Sequence, residues 1–201
     1  MMGKTHIAIG IATSMIVFHP TDAQSCIIAV TGGALGGTVA DVDILKNDYK
    51  HDAFIAQTLA IVIAAVSLSI DYILNLGVCN FIISRNLIIS VVGFIAYMIL
   101  YVIGFISTHR TITHSLLSLI LFSIAIRLSC PMLTPAYVVG YLSHLFLDIM
   151  NKKKVPVFYP KGKGFCFNWC YANKWANTFF MWAGFSISIL LVINAVVYHF
   201  Y

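Results

Sequence analysis

The chain has 201 residues, 60% of them hydrophobic and only 9% charged, with 12 Lys and Arg against 7 acids and a formal charge of +5. Soluble domains carry about 25% charged residues, so this composition excludes a water-soluble fold. Every acid is Asp, and no internal repeat or domain linker divides the chain, which reads as one integral-membrane domain over 1–201.

In chain order, Thr5-His6 leads into a first apolar run, Ile7 to Phe18, closed by His19-Pro20. No small-residue cleavage site follows, so this run predicts a short helix packed on its neighbours, not a cleaved signal or a full span. Ser25 to Ala40 carries overlapping Gly-x3-Gly pairs, Gly32 with Gly36 and Gly33 with Gly37, which permit close helix approach. It ends at Asp41-Val42-Asp43. Phe54 to Ile70 and Asn86 to Ser107 reach or approach the ~18 apolar residues that mark a span. The string His109-Arg110-Thr111-Ile112-Thr113-His114-Ser115 follows, with Thr113 expected to cap the next helix, Ser115 to Leu128. Tyr137 to Met150, with Leu133 upstream, contains Gly140-Tyr141-Leu142-Ser143-His144 and, one turn on, Asp148. A lysine-rich loop from Asn151 to Gly164 and an aromatic stretch, Phe165 to Trp182, lead into the last apolar run, Asn177 to Phe200. The expected fold class is all-α, a polytopic transmembrane bundle of about five to seven apolar helices.

Five cysteines, an odd number, argue against a disulfide framework. Cys26, Cys79 and Cys130 read as small hydrophobes. Cys166 and Cys170 have a Cys-x3-Cys spacing but lack the second pair of a structural zinc site.

Charge orients the bundle. With the N-terminus inside and seven apolar segments alternating, ten basic residues fall inside: Lys4, Lys46, Lys50, Arg110, Lys152, Lys153, Lys154, Lys161, Lys163 and Lys174. Only Arg85 and Arg127 remain outside. This asymmetry follows the positive-inside rule, and the net positive charge points to membrane lipids as partners and not to nucleic acid. The same topology puts His6, Asp41, Asp43, His109, His114, His144 and Asp148 at one depth, the cytoplasmic interface. Ionisable groups are costly there, so their convergence marks a functional site.

His144 and Asp148 stand four apart on one helical face. They can share a metal ion, the Asp can orient a ligating His, or the two can form a buried hydrogen-bonded pair. Imidazole and carboxylate donors suit a divalent metal, zinc first, with Mn or Fe as options. Arg110 either anchors the topology or holds a phosphate and developing negative charge. Of Asp41 and Asp43, one can ligate while the other bridges or acts as general base. His6 is recommended by its side of the membrane alone, and His19, His51 and His199 read as structural.

The strings His-Arg-x-x-Thr-His-Ser at 109–115, Gly-Tyr-x-Ser-His-x-x-x-Asp at 140–148 and Asp-x-Asp at 41–43 resemble the membrane-bound metal-dependent hydrolase family. Its bacterial members include LexA-regulated inner-membrane hydrolases. The resemblance runs from His6 to about Pro160, with Ala40 where the family often has Pro and with Asn151 and Lys154 replacing its Thr and Gly. It implies distant similarity to zinc-dependent phospholipase C. It further implies an all-helical metallohydrolase with His6, Asp41, His109, His114, His144 and Asp148 near the metal and Asp43 beside them. The expected activity is metal-dependent hydrolysis of a lipid or small-molecule substrate at the bacterial inner membrane, a phospholipid or another phosphate ester ahead of a carboxyl ester or amide, with Asp43 and Arg110 as catalytic groups and Asp43, or the ligating Asp148, taking the proton. The competing class is a non-catalytic membrane protein with a structural metal, or a metal transporter.

Overall fold

The computed structural model describes residues 2–46, 50–162, 164–169 and 175–200. Eight helices are present among them: α1 (Gly3–Phe18), α2 (Ala23–Val39), α3 (Lys50–Leu74), α4 (Val78–Ser84), α5 (Leu87–Ile106), α6 (Leu116–Ser129), α7 (Thr134–Met150) and α8 (Trp175–Phe200). Two 3-10 turns, Ala40–Lys46 and Pro131–Leu133, follow α2 and precede α7. Among the described residues, five segments are long and apolar enough to cross a membrane: Ala23–Ile44, His51–Leu74, Leu87–Ile106, Pro131–Met150 and Trp175–Val197. Gly3–Phe18 and Leu116–Ser129 are apolar but shorter. No strand forms among the described residues; Val155 and Phe165 make a single antiparallel bridge within the polar loop. The all-α, multi-span reading therefore holds. Lys163, Lys174 and Cys170, each invoked from the sequence, lie outside the described residues.

Local chemistry sets several helix starts. Asp22 accepts from the Ser25 backbone N–H at 2.8 Å to begin α2, and Asn86 accepts from that of Ile88 at 3.0 Å to begin α5. Ser115, not Thr113, caps α6, accepting from Ser118 at 3.2 Å. His114 consequently sits just before that helix, because the Thr113 hydroxyl is committed elsewhere. Asp71, buried near the end of α3, accepts from the backbone N–H groups of Val78 and Cys79 and so opens α4, a helix the hydrophobic pattern did not announce.

The short first helix lies inside the bundle. Ile7, Ala8, Ile11 and Met15 are buried, and α1 packs on α2, α3, α7 and α8. Helix α5 is the opposite case: Leu87, Ile88, Phe94, Ile99 and Ile106 are exposed, as a lipid-facing span requires.

Two glycine stripes let α2 pack closely on both α1 and α7. A Cβ on Gly32 would lie 2.6 Å from the Ala136 Cβ, and one on Gly36 would strike the Tyr137 carbonyl, both on α7. On the other stripe, a Cβ on Gly33 would come within 2.6 Å of the Gly10 carbonyl oxygen and one on Gly37 equally near that of His6, both on α1. A Cβ on Gly140 of α7 would likewise lie 2.6 Å from the Gly33 carbonyl oxygen. Without side-chain carbons at these positions the three backbones touch, as the Gly-x3-Gly pairing predicts. That contact brings the ends bearing His6, Asp41 and His144 together.

Candidate metal centre

Four chain segments supply the site. His6 lies in the first turn of α1, Asp41 and Asp43 in the 3-10 turn after α2, His109 and His114 between α5 and α6, and His144 and Asp148 on successive turns of α7. His6, His114 and His144 have no solvent exposure, and Asp41, Asp43 and Asp148 are at most 3% exposed. The His109 side chain, 25% exposed, is the more open member. All seven residues singled out from the sequence thus gather at one end of the bundle. His19 and His51 are exposed and join neither ligand group; His19 instead ends α1 in the left-handed conformation, φ +41°. The expectation for His199 falls on a side chain outside those described.

Asp41, His114, His144 and Asp148 form one group able to hold a metal ion. The Nε2 atoms of His114 and His144 are 3.5 Å apart. Asp41 Oδ1 lies 3.6 Å from the first and 3.5 Å from the second, and Asp148 Oδ2 lies 3.3 Å from His114 Nε2. A tetrahedral ion with N and O ligands at about 2.0–2.2 Å spaces those ligands about 3.3–3.6 Å apart. The observed separations fall in that range. Tautomers reinforce the match. His144 Nδ1 is 2.8 Å from the Gly37 carbonyl, which can only accept, so Nδ1 carries the proton and Nε2 presents a lone pair inward.

His6 stacks on His144, with ring centroids 3.8 Å apart, and its Nε2 is 3.5 Å from Asp148 Oδ1. Neither ring nitrogen of His6 has a hydrogen-bond partner, although both are buried. Buried polar atoms are normally paired, so an unpaired imidazole against a carboxylate fits a ligand position beside the group of four. Burial opposes charging His114, but the carboxylates of Asp148, Asp41 and Asp43 outweigh it and raise its pKa well above the ordinary value. The three carboxylates thus favour positive charge at His114.

Asp43, His109 and His114 make a second, overlapping group. Asp43 Oδ1 accepts from His109 Nδ1 at 2.9 Å. Its Oδ2 accepts from the Arg110 backbone N–H at 2.8 Å and from Thr113 Oγ1 at 2.7 Å. His109 therefore faces Asp43 and stands apart from the group of four. Arg110, held at φ +60°, sends Nη2 to Asp148 Oδ2 at 3.1 Å and Nη1 to the Lys153 carbonyl at 2.8 Å, while its Nε is buried without a partner.

Three contributors escaped the sequence reading: the Gly37 carbonyl, the Thr113 hydroxyl, and Tyr141, whose hydroxyl reaches the Thr113 carbonyl at 2.5 Å and Ser118 at 3.1 Å. Tyr141 lies one turn before His144, a spacing that offered a signal; a backbone carbonyl offers none.

Fold and site together define a class: an all-helical, multi-pass membrane protein with a buried His and Asp cluster, able to hold a metal ion, at one end of its bundle. Within that class the chain belongs to the YdjM inner membrane protein family, whose family model matches residues 1–200. It is accordingly an inner membrane protein. No curated protein and no solved structure matches the chain.

Proposed function

We propose that this protein is a divalent-metal-dependent hydrolase of a phospholipid or another phosphate ester, working at the cytoplasmic face of the inner membrane. The observation that carries the reading is the inward convergence of Asp41, His114, His144 and Asp148, all buried, beside His6, whose ring nitrogens have no hydrogen-bond partner. The mixed nitrogen and oxygen donors suit zinc, with Mn or Fe as alternatives. Bound there, the metal would bring the pKa of a water toward neutrality and polarise the scissile group. His109, at the open edge, donates its Nδ1 proton to Asp43 and so keeps an Nε2 lone pair for proton transfer, an arrangement of base and orienting carboxylate. Asp43 in this reading serves catalysis through His109. Arg110 brings positive charge to Asp148 and offers its unpaired Nε–H to an anionic oxygen. Lys152, Lys153 and Lys154, all exposed, add a basic surface for head groups. The resemblance to metal-dependent hydrolases supports the same reading, and the lysine and arginine asymmetry supports the cytoplasmic orientation.

The test is an assay of purified, zinc-loaded protein against lipid phosphomonoesters, phosphodiesters and carboxyl esters. One of the phosphate esters should turn over with wild type and not with His144→Ala. Arg110→Ala should lower turnover by about 10²–10³, the loss seen when a donor to developing negative charge is removed. Equal rates for wild type and His144→Ala on every substrate would leave a non-catalytic protein with a structural metal.

A further inference from the structure

The Asp43 carboxylate is wrapped by one short segment. His109 Nδ1, the Arg110 backbone N–H and Thr113 Oγ1 all point at it within 2.9 Å, and His114 Nδ1 stands 3.3 Å from its Oδ2. Thr113 Oγ1 is also 3.1 Å from His114 Nδ1. Asp43 itself is 1% exposed, and it comes from a different part of the chain, the turn after α2.

Proton counting on this small network has one solution. A threonine hydroxyl has a single proton. The ionised carboxylate can only accept, so at 2.7 Å the Thr113 proton lies on the Asp43 side. Thr113 Oγ1 then has only lone pairs left for His114 Nδ1. Were Nδ1 also bare, it would oppose lone pairs on both Oγ1 and Oδ2 in a fully buried space. Nδ1 must therefore carry a hydrogen, shared between Thr113 Oγ1 and Asp43 Oδ2. This leaves Nε2 of His114 as the nitrogen aimed at Asp41, His144 and Asp148.

We infer that Asp43 is a positioning residue, which acts directly and through the Thr113 hydroxyl to hold His114 with its Nδ1 protonated and its Nε2 turned to the metal group. This rests on the metal reading above and deepens it. Asp43 is thereby assigned neither as a metal ligand nor as the group that meets substrate. Its acceptor positions are filled by the turn it organises, including the left-handed backbone of Arg110. The Tyr141 hydroxyl on the Thr113 carbonyl pins the same turn to α7 from the other side.

The experiment uses full-length protein in detergent and zinc itself as the probe. Zinc affinity and stoichiometry are measured for wild type, Asp43→Asn, Thr113→Val and Thr113→Ser. Residues that orient a ligating histidine typically contribute 10–100-fold to metal affinity. Thr113→Val and Asp43→Asn should each weaken zinc binding by about that factor with stoichiometry unchanged. Thr113→Ser, which keeps the hydroxyl, should restore wild-type affinity, and the Asp43→Asn, Thr113→Val double variant should lose no more than about the larger single loss, because the two residues act as one relay. A second measurement needs no variant. Nitrogen and proton NMR of histidine-labelled wild type should show a slowly exchanging Nδ1 proton on His114 both without and with zinc.

Three results would overturn the inference: a bare or metal-bound Nδ1 on His114 in wild type, zinc affinity within about twofold of wild type in both Asp43→Asn and Thr113→Val, or loss of one whole zinc equivalent in Asp43→Asn. Failure of the underlying metal reading looks different. Wild type would then bind no zinc at all, while the Nδ1 proton would still report whether Asp43 and Thr113 hold His114.

Discussion

His114 belongs to both ligand groups of the centre. Its Nδ1 is tied to Thr113 and Asp43, and its Nε2 faces two further carboxylates and His144. Those carboxylates raise its pKa well above the ordinary imidazole value. Below that raised pKa a proton occupies Nε2, so metal uptake has to expel it. Zinc affinity should therefore climb with pH by up to about tenfold per unit, the slope of one released proton, and level off above the raised pKa. A pH series of zinc titrations with proton-release measurement checks this, and a flat profile from acid to alkaline pH would contradict it. At this scale the sequence was highly informative about identity and less so about role. Charged and imidazole side chains stand out in an apolar chain, so His6, Asp41, Asp43, His109, His114, His144 and Asp148 were all legible. What each one does depends on which atom meets which. The division of His109 to Asp43, and of His114 and His144 to the buried group, follows from hydrogen bonds that cross between segments, and spacing along the chain carries no record of them.

Among the elements, α2 governs the geometry. Its two glycine stripes face different neighbours, Gly32 and Gly36 toward α7 and Gly33 and Gly37 toward α1. The pairing was readable because Gly-x3-Gly has a known physical use; which helix each stripe meets was not, since any close partner satisfies the pattern. Gly36→Leu should push α7 off α2 and separate His144 from Asp41. Overpacking a tight contact costs about 1–3 kcal/mol. Thermal unfolding in detergent should occur at lower temperature, and zinc binding should weaken although no ligand is changed. A leucine at the lipid-exposed Ile99 makes the control, expected to alter neither quantity. Helix α4 was not legible, for a reason specific to it. At seven residues it is too short for a periodic signal, and it is started by Asp71, whose carboxylate caps it from the end of α3.

At the scale of the molecule, exposed basic and aromatic side chains share one stretch of the chain, from the polar loop into α8. Lys152, Lys153, Lys154 and Lys161 are exposed on the polar loop, and Phe158, Phe165, Phe167, Trp169, Trp175 and Trp182 are exposed on or after it. Aromatic and cationic side chains of this kind sit at head-group level. Cysteine placed at position 153, in a protein stripped of its native cysteines, should resist an impermeant thiol reagent applied to intact cells and react once the membrane is opened. Labelling from outside would invert the topology. The enclosure of α1 carries a further consequence, for the order in which the protein is made. Gly184 of α8 rests on the backbone of Ala8, and Thr5 and Asn177 join at 2.8 Å, so the last helix closes over the first. During synthesis α1 is made well before α8 and lacks that neighbour until α8 follows it. The α8-facing side of α1 stays uncovered in that interval, and the enclosure around Thr5 and Ala8 is completed only when α8 docks.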